Sequence, residues 1–467
     1  MTPSEDVVAS RLREAAAGAD VVVRPVALEA VRLETRLRSR RRRHRLQGAA
    51  ALAVAAGVAA VFLVPLPSVS LKRHTSTPTS LPPHKSHHHS TLGVSVAQLE
   101  AGRWSSIPAA PVAPRTGEVV VWTGRELIVW GGSGLSPHGS LTYGDGAAYD
   151  PASRRWRLLP PSSLPPTTEA SAVWTGREMV VFGGYVDVSP GAMQLTNAAA
   201  AFDPVTNRWR VLPTPPVSPR ASAIALWTGK VAIVFGGGGN VSDANGAAFD
   251  PLTNKWQSIA APTPANGHSI SWQVAVRVGN EVLGFSTWSQ RRRTSKDTFT
   301  SSGGSDLFAL DLATWHWRLV PPAAGGVPSP EEALSTGHDV IVRGGAYNCG
   351  GCPGPFEPAV SSLYDPVTNT WTRVAPDPLG LSNTTSAWTG HALFSFDDET
   401  ESGSIRPGAA SIYDPSTGVW RLVARAPFGC NFGQPLVWTG RQVLAYCPTF
   451  GAGTRPSGLV FTPGGSS

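Results

Sequence analysis

Short apolar runs recur along the chain in pairs, each pair split by a polar turn. "VVVW" at 119–122 and "ELIVWGG" at 126–132 flank Thr123-Gly124. "SAVW" and "EMVVFGG" flank Thr175-Gly176, and "IALW" and "VAIVFGG" flank Thr228-Gly229. The turn returns as Thr-Gly at 336–337, 389–390 and 439–440, and as Val278-Gly279 in the fourth place. Runs this short, β-branched and closed by glycine predict buried strands rather than helices, so each pair predicts a hairpin.

A second pattern follows each hairpin. Asp150, Asp203, Asp250, Asp311, Asp365 and Asp414 each stand six residues before a tryptophan: Trp156, Trp209, Trp256, Trp317, Trp371 and Trp420. Proline after most of these aspartates presets a type I turn, and the Asp side chain can bond the turn backbone. Asn207, Asn254, Asn369 and Gly418 then fall where a left-handed residue closes a hairpin with a bulge. Arg154 and Trp315 hold that position in the two imperfect copies, where a slightly different turn is expected. Each unit is thus four antiparallel strands.

Seven first halves face six complete second halves. The chain ends resolve the mismatch: "LVFTP" at 459–463 matches "AAFDP", and "GRWSSIP" at 102–108 matches "NRWRVLP". The strand around Trp104 is expected to complete the last sheet and close a ring without exposed edges. The fold class expected is all-β, a seven-bladed propeller. The chain resembles the kelch family of β-propellers through the di-glycines at 131–132, 183–184, 236–237 and 344–345, the Tyr/Phe-Asp-Pro strand ends and the outer-strand tryptophans. The resemblance covers roughly 100–467, about 53 residues per blade, an ordinary kelch period. The fourth unit departs most, with no di-glycine and an inserted "WSQRRRTSKDTFTSSGGS". Most of the 16 tryptophans are read as packing residues between blades.

The charge is uneven. Residues 1–45 hold 11 Arg and 6 acids, +5 of the chain's +7, so the remaining 422 residues carry +2 and nucleic-acid binding by the propeller is not expected. No charged residue lies between Arg45 and Lys72. The stretch 46–66 is about long enough to cross a bilayer. The Arg block at 36–45 keeps that end inside by the positive-inside rule. The organisation expected is a cytoplasmic Arg-rich stub (1–45), a transmembrane helix (46–66), a Ser/Thr/Pro/His-rich stalk (67–99) and an extracytoplasmic propeller (100–467) in the cell membrane. A helix start at Ser4 and the stub's layout resemble the cytoplasmic tails of membrane regulators found near sigma factors in high-GC bacteria. An Arg to Lys ratio of 34 to 5 points to the same source. His84 and His87–His89 are read as solvated stalk residues rather than a metal site.

All four cysteines lie within 349–447, as expected of disulfides in an oxidising space. Cys430 and Cys447 lie nearly opposite across the hairpin at 439–440. Cys349 and Cys352 suit a small loop. Exchange pairing of Cys349 or Cys352 to Cys430 is also open, whereas a zinc site lacks a second such pair and a suitable His nearby.

Seven residues before each turn tryptophan, or its equivalent, the chain reads Arg115, Thr167, Arg220, Ile270, Pro328, Leu381 and Asn431. Arg115, Arg220 and Asn431, with Glu169 and Glu332 close by, are the candidate ligand-binding residues at a channel mouth, suited to an acidic sugar or a partner's carboxylate. No catalytic residue, metal or cofactor is assigned. Resemblance to kelch proteins allows a sugar isomerase or a copper radical oxidase. The histidines share no register and the cysteines are better explained as disulfides, so a binding module for a protein, glycan or cell-wall ligand is the leading expectation. A regulator whose stub holds a cytoplasmic transcription factor is the third.

Overall fold

The computed structural model describes residues 94–136, 139–189, 192–238, 243–264, 268–293, 299–321, 330–344, 360–379, 384–397, 408–430, 435–447 and 457–465. The stub, the 46–66 stretch, the His cluster, Cys349, Cys352 and Asn431 lie outside them. Among the described residues no helix is long and apolar enough to cross a membrane.

These residues build antiparallel sheets, seven of them four-stranded. The first runs Val119–Trp122, Leu127–Trp130, Gly146–Asp150 and Arg155–Leu158 from one edge to the other. The second, third, fifth and sixth repeat this plan. The fourth is built on two long strands, Glu281–Arg293 and Phe299–Asp311, paired from end to end. In the seventh, Leu436–Trp438, Val443–Tyr446 and Gly458–Thr462 are joined at the outer edge by Arg103–Ile107, with Trp104 opposite Phe461. The first described strand therefore finishes the sheet begun by the last three.

The turns form for local reasons. Asp150, Asp250, Asp311 and Asp365 accept the backbone N–H groups two residues on at 2.7–2.8 Å. The left-handed position is filled by Asn207, Asn254, Asn369 and Gly418 at φ 54–69°. Arg154 and Trp315 adopt the same conformation, φ 55° and 62°, so no different turn appears in the imperfect copies. Trp315 N–H reaches the Asp311 carbonyl at 2.8 Å, as Gly418 N–H reaches that of Asp414. The backbone bonds of the hairpin outweigh the cost of a bulky residue at positive φ. In the other turn, the Thr123 hydroxyl accepts from Glu126 N–H at 2.8 Å, and Thr175, Thr228, Thr336, Thr389 and Thr439 do the same in their copies.

Packing lies between sheets. The second strands Leu127–Trp130, Met179–Phe182 and Ala232–Phe235 are buried at every position, because both of their faces meet a neighbouring sheet. Seven apolar clusters each join two successive sheets. Trp130 and Phe202 join the first to the second, Phe182 and Phe249 the second to the third, Phe235 and Phe308 the third to the fourth. Phe285 and Tyr364, Ile341 and Tyr413, then Phe394 and Phe461 carry the series to the seventh. Leu444 and Tyr446 pack with Leu127 and Tyr149, joining the seventh sheet to the first. The outer tryptophans staple neighbours: the Trp156, Trp209, Trp256 and Trp420 indoles donate to the carbonyls of Pro108, Pro160, Pro213 and Ala375 in the preceding connector. Trp104 donates likewise to the Ala424 carbonyl at 2.6 Å, which places the first strand in the seventh position of the series.

Residues 94–99, assigned to the stalk by composition, are packed. Ser95 caps the helix Val96–Glu100 in a capping box with Gln98, and Leu99 is buried in the cluster of the sixth and seventh sheets.

Candidate binding face

Strand order gives each sheet two unlike ends. The Thr-Gly and Asp-Pro turns share one end, the turn face. Connectors between second and third strands, and those leading to the next sheet, share the other, the connector face. The connector face varies from sheet to sheet. In the first it carries a hairpin, Ser133–Ser136 with Gly139–Thr142. In the second, Tyr185–Ser189 pairs with Ala192–Leu195 on one side and with Thr167–Thr168 on the other. In the fourth, the two long strands run on as a ribbon to Arg293 and Phe299. The first two hairpins touch, Thr142 N–H donating to the Asp187 carboxylate at 3.2 Å. They leave Leu141, Val188 and Met193 exposed.

The di-glycines fix these connectors. Gly131 and Gly132 stand at φ 72° and 90°, and Gly132 N–H donates to the Thr167 carbonyl of the next connector at 2.8 Å. A Cβ on Gly131 would lie 2.6 Å from that carbonyl oxygen, so only glycine lets the connector approach.

Arg115 and Arg220 are not rim residues. Their relative exposures are 0% and 1%. Arg115 Nη1 donates to the carbonyls of Gly131 and Asp145 and to the Asp145 carboxylate at 2.9–3.1 Å, and its guanidinium lies 4.5 Å from the Tyr143 ring centre. Arg220 repeats this on the carbonyls of Gly236 and Asn245, with Asp243 3.4 Å away. Burial pulls the Arg220 pKa down against the opposing Asp243 charge. Both guanidiniums fasten the third strand to the di-glycine of their own sheet, which is why the two arginines share a register.

Glu169 is exposed at the connector face. It sits at φ 54° in a backbone chain in which Glu169 N–H donates to the Gly117 carbonyl and Ser222 N–H to the Glu169 carbonyl, at 2.7 and 2.9 Å. Its carboxylate accepts from the Ser222 hydroxyl at 3.0 Å. Glu332 lies far along the series, in a buried charge cluster of the fifth and sixth sheets. Arg343 donates to Glu332 at 3.3 Å, to Asp377 at 2.9 Å, to Thr384 and Ser395 at 3.0 Å, and to Ser386. Glu332 also accepts Ser386 N–H at 2.7 Å. Burial pushes the Glu332 pKa up, against the pull of Arg343. Arg343, next to last in the strand Val340–Gly344, stands where the other sheets place Trp130, Phe182, Phe235, Phe285, Phe396 and Tyr446. Here a polar clamp replaces an aromatic one. The five candidates therefore do not converge: Arg115 and Arg220 serve the fold, Glu332 is paired, Glu169 is open, and Asn431 lies outside the described residues.

Sequence reasoning missed Glu118. It enters the first inner strand from the connector face, 8% exposed, and both carboxylate oxygens are buried without a hydrogen-bond partner. Burial pushes its carboxyl up to about 7, against its own backbone amide and the Arg115 charge. Burial also raises the Tyr446 phenol, with Glu118 adding to the rise. The signal available was a lone acid at the start of "EVVVW", where the next two units have Ala170 and Ala223.

Cys430 and Cys447 are joined by a disulfide with Cα atoms 4.8 Å apart, tying the entry of the seventh sheet to the end of its second strand. Among the described residues no cysteine is free, and no cluster of three or more His, Cys, Asp or Glu is arranged to hold a metal.

The family model of the KLHDC2/KLHL20/DRC7 Kelch-repeats domain matches residues 82–286. The match supports a kelch-repeat protein over those residues. Kelch repeats generally mediate protein–protein interaction. No curated protein gives a significant match.

Proposed function

We propose that this chain is a single-pass membrane protein whose kelch sheets form a closed seven-bladed propeller outside the cytoplasm, binding a protein, glycan or cell-wall ligand through the connector face. Residues 1–45 are its cytoplasmic stub and 46–66 its anchor. The observation that carries the binding reading is the contrast between the two ends of the sheets: the turns repeat nearly residue for residue, whereas the connectors of the first, second and fourth sheets grow into unlike hairpins. Recognition commonly resides in such variable loops on a rigid frame. A carbohydrate-active reading loses support because Arg115 and Arg220, its cationic groups, are occupied by carbonyls.

The test is cross-linking of the full chain in its own membranes, beside a variant with the 133–142 and 185–195 hairpins shortened to tight turns. The reading expects a discrete adduct lost in the variant. An identical cross-linking pattern from both chains refutes it.

A further inference from the structure

The turn face carries a charge pattern that the connector face does not use. The residue after each Thr-Gly turn is Arg125, Arg177, Lys230 or Arg441 in the first, second, third and seventh sheets, exposed in every case. The residue before the outer tryptophan is Arg103, Arg155, Arg208 or Lys255 in the same four sheets, again exposed. Neighbouring turn ends are held side by side, Arg157 donating to Asn207 at 2.8 Å and Arg210 to Asn254 at 2.7 Å. Arg154 donates to the Ser106 carbonyl at 3.1 Å, holding the first sheet's turn against the seventh. The acids here are Glu126 and Glu178, each paired with an arginine of its own sheet, and Asp150, Asp203 and Asp250 in the turns. With Glu100, which precedes Arg103 and pairs with Arg421 of the sixth sheet, eleven Arg and Lys stand against six carboxylates, an excess of five, although residues 46–467 together carry only +2. The fourth to sixth sheets carry no such excess: Glu281, Asp311, Asp339, Asp365 and Asp414 face Arg277, Arg318, Arg373 and Arg421.

Two aliphatic side chains project from the cationic half. Val205 and Leu252, at the tips of the Asp-Pro turns, are each 89% exposed. A one-sided cationic field with protruding aliphatics suits a bilayer surface bearing anionic headgroups, where the charges adsorb and the tips enter the interface. The place where the chain enters the sheets favours the same occupant. Arg103, first residue of the first strand, stands at the turn face, and the Ser/Thr/Pro/His-rich segment and 46–66 precede it in the chain.

We propose that the turn face of the seventh, first, second and third sheets docks on an anionic lipid surface. The proposal rests on the membrane-anchored reading above, and leaves the connector face open to the ligand.

The experiment uses the full chain with Leu252→Cys carrying a polarity-sensitive dye, reconstituted into vesicles of phosphatidylcholine alone or with phosphatidylglycerol, with an alkaline carbonate wash to test integration. The dye is expected to shift to the blue only in anionic vesicles, and to lose the shift at high salt. In Arg208→Glu/Lys255→Glu the docked fraction is expected to fall at least tenfold, since each cation is worth roughly fivefold at such a surface. A chain that resists carbonate but shows no anionic-specific shift overturns docking while the anchor stands. A chain removed by carbonate overturns the anchor. Docking is then decided by sedimentation of that chain with the same vesicles: binding to anionic vesicles that the double reversal abolishes supports it, and no binding overturns it.

Discussion

Replacing Glu118 by glutamine keeps the shape of the side chain and removes its charge. The Glu118 carboxyl titrates near 7 in the folded protein against 4.5 as its ordinary value. Between those values the folded chain holds a proton that the unfolded chain has lost, so stability falls as pH rises from about 4.5 to about 7, then levels off. A difference of 2.5 units corresponds to about 3 kcal/mol at the plateau, at 1.36 kcal/mol per unit. Glutamine is neutral throughout and avoids that loss, but it buries an amide that has no evident partner, at about 1–2 kcal/mol. The expected outcome is near equality, or a small deficit for Glu118→Gln, at pH 5, and a gain of about 1–2 kcal/mol at pH 8. The assay is denaturant unfolding of both chains at half-unit steps between these limits. Parallel stability curves refute the reasoning, because they require a carboxylate that is already charged and solvated in the folded state.

Arg343→Met leaves Glu332 and Asp377 buried without their cation and is expected to cost about 3–5 kcal/mol by denaturant unfolding. Trp156→Phe keeps the ring and deletes the indole bond to the Pro108 carbonyl, for a loss of about 1 kcal/mol in the same assay. Reduction, or Cys430→Ser with Cys447→Ser, opens a 17-residue separation and is expected to cost about 2–4 kcal/mol, read as a lower melting temperature. Arg115→Gln is expected to destabilise the first sheet rather than abolish ligand capture selectively; full stability with lost capture would return Arg115 to the binding site.

The sheets were legible because their signals are local. An Asp-Pro turn, a left-handed Asn and a tryptophan at fixed spacing declare a hairpin wherever they occur, and repetition turns a weak pattern into a strong one. The seventh sheet was legible from the unmatched halves at the chain ends. The site was not, because spacing along the chain does not say which way a side chain turns. Arg115 and Arg220 share a register with a channel mouth, but their guanidiniums turn inward to the di-glycine carbonyls. Arg154 and Trp315 show the reverse error: residue preference argued for a different turn, and the hairpin's backbone bonds imposed the common one. Arg343 and Glu118 were readable only by comparing units position by position. There an arginine among aromatics, and a glutamate where neighbouring units have alanine, mark the departures from pure packing.

A closed ring of sheets requires the strand Arg103–Ile107 to complete the last one. Arg103→Cys with Thr462→Cys places thiols on directly paired residues at the open end of that pairing. Mild oxidation of the purified full chain is predicted to give an intramolecular disulfide, mapped by peptide mass, while Arg103→Cys with Val460→Cys, two residues out of register, gives little. No bond in the paired variant, or equal bonding in both, would contradict a sheet shared by the two ends of the chain.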